Sequence, residues 1–145
     1  LTPQGLAQLQ SDEGCVLTAY PDPLSGGDPW TIGYGSTGPG IRQGTIWSQT
    51  QADAALAQQI VHIQQELPAI VTCFSSLTPA RQDVLVNMAY NIGVAGLSHF
   101  VNMISALDRG DWSGAAAQML SSSWAEQVPN RAARLSDLME SGAYA

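Results

Sequence analysis

Basic residues are scarce in this chain. Five Lys and Arg against 12 Asp and Glu leave a net charge of −7 and a pI near 4.3. A surface so acidic has no footprint for nucleic acid or for anionic membranes, so neither is expected as a partner. Cysteine is rarer still. Cys15 and Cys73 cannot build a disulfide framework, and Cys15, set among Gly14, Val16 and Leu17, reads as a small apolar side chain rather than a nucleophile. The two histidines, His62 and His99, are far apart and lack Cys or Asp partners at ligand spacing, which predicts no zinc site, no other metal and no cofactor. No apolar run approaches the roughly 18–20 residues of a membrane span, and the N-terminus lacks the basic start and apolar core of a signal peptide. The expectation is a soluble domain, without membrane insertion, whose delivery is not encoded here. A start at Leu1 rather than Met fits a piece of a longer protein.

What is present suits a folded domain. With 145 residues, 45% hydrophobic and 12% charged, the chain is globular and long enough to bury roughly two-thirds of its unfolded surface. Thr2-Pro3 reads as a cap followed by a first-turn proline, and Leu6, Leu9 and Glu13 share a helical stripe, so Glu13 should end the first helix. Between Tyr20 and Ile46 the density of Pro and Gly breaks helices, while Trp30-Thr31-Ile32 and Tyr34 alternate as in a short hairpin or small antiparallel sheet. Thr50, with Asp53 three residues on, reads as the N-cap of a long helix carrying Leu56, Ile60, Ile63, Leu67 and Ile70, which Pro68 should kink or end. Thr78-Pro79 caps another helix that Gly93 can terminate, and further helices are predicted over 96–107, 111–120 and 129–141.

The chemistry is concentrated between Asp12 and Gly35. Glu13 and Asp22 lie one short turn apart, and a Gly-rich strand carrying Thr31 follows. Splitting a glycosidic bond needs one carboxyl that gives a proton to the leaving oxygen and a second, ionised group that supports attack at the sugar carbon. Glu13 and Asp22 can divide those roles, although an acidic pair at a helix end and an Asp in a Pro-rich turn are also ordinary surface features.

The neighbouring residues carry more information. Asp12-Glu13-Gly14, Tyr20-Pro21-Asp22 and Thr31-Ile32-Gly33-Tyr34-Gly35 resemble the catalytic lobe of phage T4-type lysozymes, hydrolases of peptidoglycan glycan strands. Asn87-Met88-Ala89-Tyr90-Asn91-Ile92-Gly93 resembles that family's central helix. Ser122-Ser123-Trp124, Gln127, Pro129-Asn130-Arg131-Ala132 and Arg134 resemble its penultimate turn and final helix. The likeness covers most of residues 6–35 and 80–142, while 36–77 match only in helical character. It implies a mainly helical α+β, two-lobed lysozyme-like fold in a single domain: a small sheet lobe over about residues 13–60, and a helical lobe from 1–12 plus 61–145, joined by a long helix.

The resemblance also assigns roles. Glu13 would be the general acid, Asp22 the second carboxylate and Thr31 the residue that places the attacking water of an inverting muramidase. Gly35, Tyr90 and Asn91 would meet the saccharide. Arg131 would pair with Glu13, and Arg134 with Asp12, as structural support, although on their own both arginines fit a solvated helix face. The implied partner is peptidoglycan, attacked by a monomer in the periplasm or on the wall of a target bacterium.

The chain departs from the family in several places. The loop from Pro23 to Trp30 is longer than in most relatives, which brings Asp28 into play beside Asp22, although Asp22 keeps the Tyr-X-Asp context. Ser36 stands where relatives often carry a His that makes a structural ion pair, so the small lobe must be held differently. Ser123 replaces an Arg that lines the sugar cleft in some members. A non-catalytic glycan-binding domain, an enzyme of chitin-like polymers and a lytic transglycosylase remain the alternative activities.

Acidity argues for thin periplasmic peptidoglycan rather than walls rich in anionic teichoic polymers, although solubility alone would also explain it. Replacing several exposed acids remote from the predicted site with Lys is expected to raise lysis of teichoic-rich walls at low salt. Added salt should shrink that gain, because charges separated by more than about 8 Å are screened at physiological ionic strength. Turbidity clearing by a folded charge-reversed variant that shows no gain would assign the −7 to solubility.

Overall fold

Local capping signals set most of the element boundaries. In the computed structural model, which describes residues 1–145, Thr2 Oγ1 accepts the backbone N–H of Gly5 at 3.0 Å and opens helix α1, Pro3–Glu13. Gly14, at φ 66°, ends that helix by donating to Gln10 O at 3.0 Å. Thr78 Oγ1 caps α3, Pro79–Ser98, through Arg81 N, and Asp111 Oδ1 caps α5, Trp112–Leu120, through Gly114 N. Between them lies α4, Val101–Asp108. The short α6, Ser123–Gln127, is capped by Ser122, and α7, Pro129–Ser141, stops at Gly142 in the left-handed conformation. With a two-stranded sheet the result is a mainly helical α+β fold of seven helices. No single helix is long and apolar enough to cross a membrane.

Three boundaries differ from the sequence expectations. The long helix α2, Gln49–Ile70, is capped by Ser48 rather than Thr50. Ser48 Oγ accepts Gln51 N at 3.1 Å while Gln51 Oε1 accepts Ser48 N at 2.8 Å, a reciprocal box that Thr50 cannot make once Asp53 is engaged elsewhere. The helix runs two residues past Pro68, which lacks the N–H that would bond to Gln64 O, and stops within that same turn. Gly93, at φ 82° and ψ 155°, does interrupt α3, but helical turns resume to Ser98, so the segment expected as one helix over 96–107 is divided at His99 and Phe100.

The chain forms two compact units, Ala7–Val61 and Leu1–Leu6 with His62–Ala145, and passes from one to the other inside α1 and again inside α2. In the first unit, β1 (Val16–Tyr20) pairs antiparallel with β2 (Thr31–Gly33), Val16 opposite Gly33 and Tyr20 opposite Thr31, with an irregularity between. The other edge of β1 bonds to 45–47 through Ala19 N to Thr45 O and Trp47 N to Leu17 O, both 2.9 Å. Ile32, Ala52, Leu56 and Ile60 are among its buried side chains.

In the second unit α7 packs against α3, α5 and α6, over a core including Leu85, Met88, Met103, Met119, Leu135 and Met139. Two buried charges on α3 organise its ends. Arg81 donates from Nε to Met139 O at 2.7 Å and from Nη2 to Glu140 O at 2.9 Å, and its guanidinium lies 3.9 Å from the Trp112 ring centroid. It thus satisfies the last carbonyls of α7, and only glycine fits at 142, where a Cβ would stand 2.5 Å from Arg81 Cζ. Two residues on, the Asp83 carboxylate accepts Thr2 N at 3.0 Å, the Thr2 hydroxyl, and the Tyr144 hydroxyl at 2.6 Å.

Burial, and then the bond to Asp83, raise the Tyr144 phenol from 10.0 to about 12. The fold therefore favours the neutral phenol. That contribution is complete below pH 10 and is lost as pH climbs towards about 12. Tyr144→Phe is expected to lower stability at pH 7 by about 1–2 kcal/mol and to flatten the alkaline loss of melting temperature. Thermal unfolding of both proteins from neutral pH upward checks this, and identical alkaline profiles would place Tyr144 outside the clamp.

Candidate active site

The three sequence-predicted catalytic residues, together with Asp12 and Gly35, lie in the unit Ala7–Val61 and are set by the stop of α1 and by the hairpin. Glu13 is the last residue of α1 and is half-buried. A Cβ placed on Gly35 would stand 3.9 Å from Glu13 Oε2, so the loop backbone passes close to this carboxyl. That loop is a tight reversal. Ile32 and Ser36 exchange N–H···O bonds of 3.0 and 2.8 Å, with Gly33 at φ 65° and Gly35 at φ 91°. Asp12, one residue before Glu13, accepts Gln8 Nε2 at 3.1 Å along the same helix.

Asp22 follows β1 by two residues, and Thr31, half-buried, faces Tyr20 across the ladder, which places the two at the same end of the ribbon. The Asp22 carboxylate is held by its own loop, Oδ2 accepting Ser25 N at 3.0 Å. Asp28 enters that loop through its carbonyl, which accepts Ser25 Oγ at 2.8 Å, while its side chain is exposed. The surroundings of the two acids differ: Asp22 is half-buried and hydrogen-bonded through its carboxylate, and Asp28 is exposed.

The support behind the Gly33–Gly35 loop was not legible in the sequence. Tyr34 is buried and donates to Asp53 Oδ1 at 3.0 Å; Gln49 Nε2 reaches Asp53 Oδ1 at 2.8 Å, the Tyr34 hydroxyl at 3.1 Å and Cys15 Sγ at 3.8 Å. Burial, followed by the bond to Asp53, pushes the Tyr34 phenol above its ordinary value. Ser36 is also buried and accepts Gln59 Nε2 at 3.3 Å. Hydrogen bonds from Gln49, Asp53 and Gln59 of α2 therefore brace the loop. The signal available was Asp53 itself, an acid four residues after a Gln on an otherwise uncharged helix stretch.

Tyr90 and Asn91 lie on α3, in the unit containing His62–Ala145. Asn91 is exposed, and its Oδ1 accepts Trp124 Nε1 at 2.7 Å, which fixes which face of the amide is presented. Trp124 also meets Phe100 edge-to-face, centroids 6.3 Å apart. Both rings line a cleft of about 530 Å³ with His99, Asn102, Gln118 and Gln127, and no carboxylate or guanidinium faces into it. Arg131, on α7, donates from Nε to Oδ1 of the buried Asn87 at 2.8 Å and from Nη2 to Asn87 O at 3.5 Å. Arg134 lies one turn further along α7, half-buried.

A helix-end carboxyl beside a glycine loop, with a hydrogen-bonded carboxylate and a threonine at one hairpin end, on a mainly helical α+β scaffold, defines a lysozyme-like protein. The chain belongs to the phage lysozyme family, whose model matches residues 10–138. It is similar to an endolysin of Lactococcus phage c2, 35% identical over 91 residues that cover 61% of this chain and 38% of that protein. It is 29% identical to a probable T4-type lysozyme 1 of Dictyostelium discoideum over 75 residues, 52% of this chain and 44% of the other. The pre-baseplate central spike protein Gp5 of Enterobacteria phage T4 is 33% identical over 69 residues, 48% of this chain and 12% of the spike protein. The chain thus spans less than half the length of each of these relatives.

Arg131→Ala would leave Asn87 Oδ1 buried without its charged donor, a loss of about 1.5–3 kcal/mol. Lys should recover only part of this, since an ammonium cannot reproduce the planar fork. Urea unfolding measures both, and an unchanged midpoint for Arg131→Ala would show the bond to be energetically idle.

Proposed function

We propose that this domain hydrolyses peptidoglycan, cleaving the β-1,4 bond between N-acetylmuramic acid and N-acetylglucosamine with inversion and so lysing bacterial walls. The reading rests on family membership across residues 10–138, supported by Glu13, Asp22 and Thr31 standing in motifs that resemble the family's catalytic lobe. Glu13 donates its proton to the departing glycosidic oxygen, so that the leaving sugar departs as an alcohol rather than an alkoxide. The ionised Asp22 supports a water that attacks the anomeric carbon from the opposite face, and the Thr31 hydroxyl orients that water. Inversion needs room for the water, with carboxyls roughly 6.5–9.5 Å apart.

Gly35 supports this scheme by bringing backbone rather than a side chain past the acid, which leaves space for a sugar ring. Tyr90 offers a ring face and Asn91 an amide already oriented by Trp124 to a polysaccharide. A cleft lined by amides, hydroxyls and aromatic rings, with no carboxylate or guanidinium facing into it, suits uncharged amide-bearing parts of the substrate. The wall of a target bacterium is the corresponding place of action.

Glu13→Gln is expected to fold normally and lose wall lysis by about 10²–10⁴-fold, since an amide cannot donate the proton. Asp22→Ala should also be severely impaired, whereas Asp28→Ala should retain lysis. Turbidity clearing of outer-membrane-stripped Gram-negative walls reads the rates. Product mass separates hydrolysis from formation of an anhydro sugar, and NMR of the nascent anomer reads inversion. Wild-type-like clearing by Glu13→Gln would remove Glu13 from the mechanism, and binding to walls without any product would leave a glycan-binding module.

A further inference from the structure

The loop between β1 and β2 does more than connect two strands. Asp22 N donates to Gly27 O at 2.9 Å and Gly26 N donates to Asp22 O at 2.8 Å, which closes the backbone into a small ring that begins at the acid. Gly26, at φ 72°, supplies the left-handed turn this ring needs. Ser25 ties the ring together from inside. Its N–H donates to Asp22 Oδ2 at 3.0 Å, its Oγ accepts Gly27 N at 3.2 Å, and the same Oγ donates to Asp28 O at 2.8 Å.

We infer that Ser25 is a positioning residue, whose hydroxyl pins the extended loop so that its N–H holds one oxygen of the Asp22 carboxylate and turns the other, Oδ1, towards the attacking water. This rests on the reading of Asp22 as the second carboxylate. The physical reason lies in the loop's exposure. Pro23, Leu24, Ser25 and Gly26 are all exposed, so the loop gives the half-buried Asp22 little packing on that side, and an Asp tethered only by its own backbone would sample several rotamers. A displacement on the order of 1 Å at a reacting group can cost about 10²-fold in rate. The Ser25 hydroxyl reaches Asp22 only through the loop. Removing it loosens the bonds to Gly27 and Asp28 and lets the Ser25 N–H drift from Oδ2.

The test uses the whole chain and soluble glycan fragments of defined length. Ser25→Ala is expected to lower kcat about tenfold, a partial form of the misplacement penalty, with KM and melting temperature nearly unchanged. Ser25→Thr, which keeps a hydroxyl at the same position, should restore most of kcat. A structural loop defect would not yield that split or that rescue. In an Asp22→Ala background, adding Ser25→Ala should cost nothing further, because the residue acts only through the carboxylate.

Unchanged kcat in Ser25→Ala, or a further loss in the double variant, overturns the positioning role while leaving the hydrolase reading intact. Full activity in Asp22→Ala removes both Asp22 and Ser25 from the mechanism, with Glu13→Gln still deciding whether the domain is a hydrolase. A loss in Ser25→Ala that Thr does not recover counts against the hydroxyl as the pin.

Discussion

Gly14 stops α1 one residue after Glu13, and the placement of the acid follows from that stop. A left-handed residue there redirects the chain from helix into β1 within two residues, so the carboxyl projects from a helix end rather than from the middle of a face. A non-glycine residue at φ 66° would be strained at the point where the direction of Glu13 is fixed. The glycine loop 33–35 completes the arrangement by bringing bare backbone up to the same carboxyl. Helix termination and loop chirality, both properties of glycine, therefore shape the acid's surroundings before any side chain is considered.

The second carboxylate is held by a different kind of physics. Glu13 is placed by regular structure, whereas Asp22 is placed by a hydrogen-bonded ring in an exposed loop. Rigid helices tolerate surface change, but a ring whose bonds are exposed to water depends on each small residue that closes it. In this loop the bonds made by Ser25, Gly26 and Gly27 converge at Asp22.

Legibility in the sequence followed the range of the interactions. The boundaries of α1, α5 and α7 could be read because their caps are local: Thr2-Pro3, Asp111 and Gly142 each announce an end within a few residues. Strand β1 could not, because only Ala19 of Val16–Tyr20 is buried and a strand without a hydrophobic face has no period of two. The choice of Ser48 over Thr50 was settled at a distance, by Tyr34 taking Asp53, which no reading of residues 48–53 contains. Glu13, Asp22 and Thr31 stand out as candidates because short motifs surround them, whereas the bonds of Gln49 to Tyr34, Gln59 to Ser36 and Asn87 to Arg131 exist only through partners brought close by the fold.

The carboxylate of Asp83 binds both Thr2 and Tyr144, so two segments far apart in sequence meet at one buried acid. In sequence, residues 7–61 are inserted between residues 1–6 and the rest of the unit to which those six belong. Residues 1–6 therefore join their unit only by long-range contact, so loosening the bonds at Asp83 would free the start of α1 and the segment after Gly142 together.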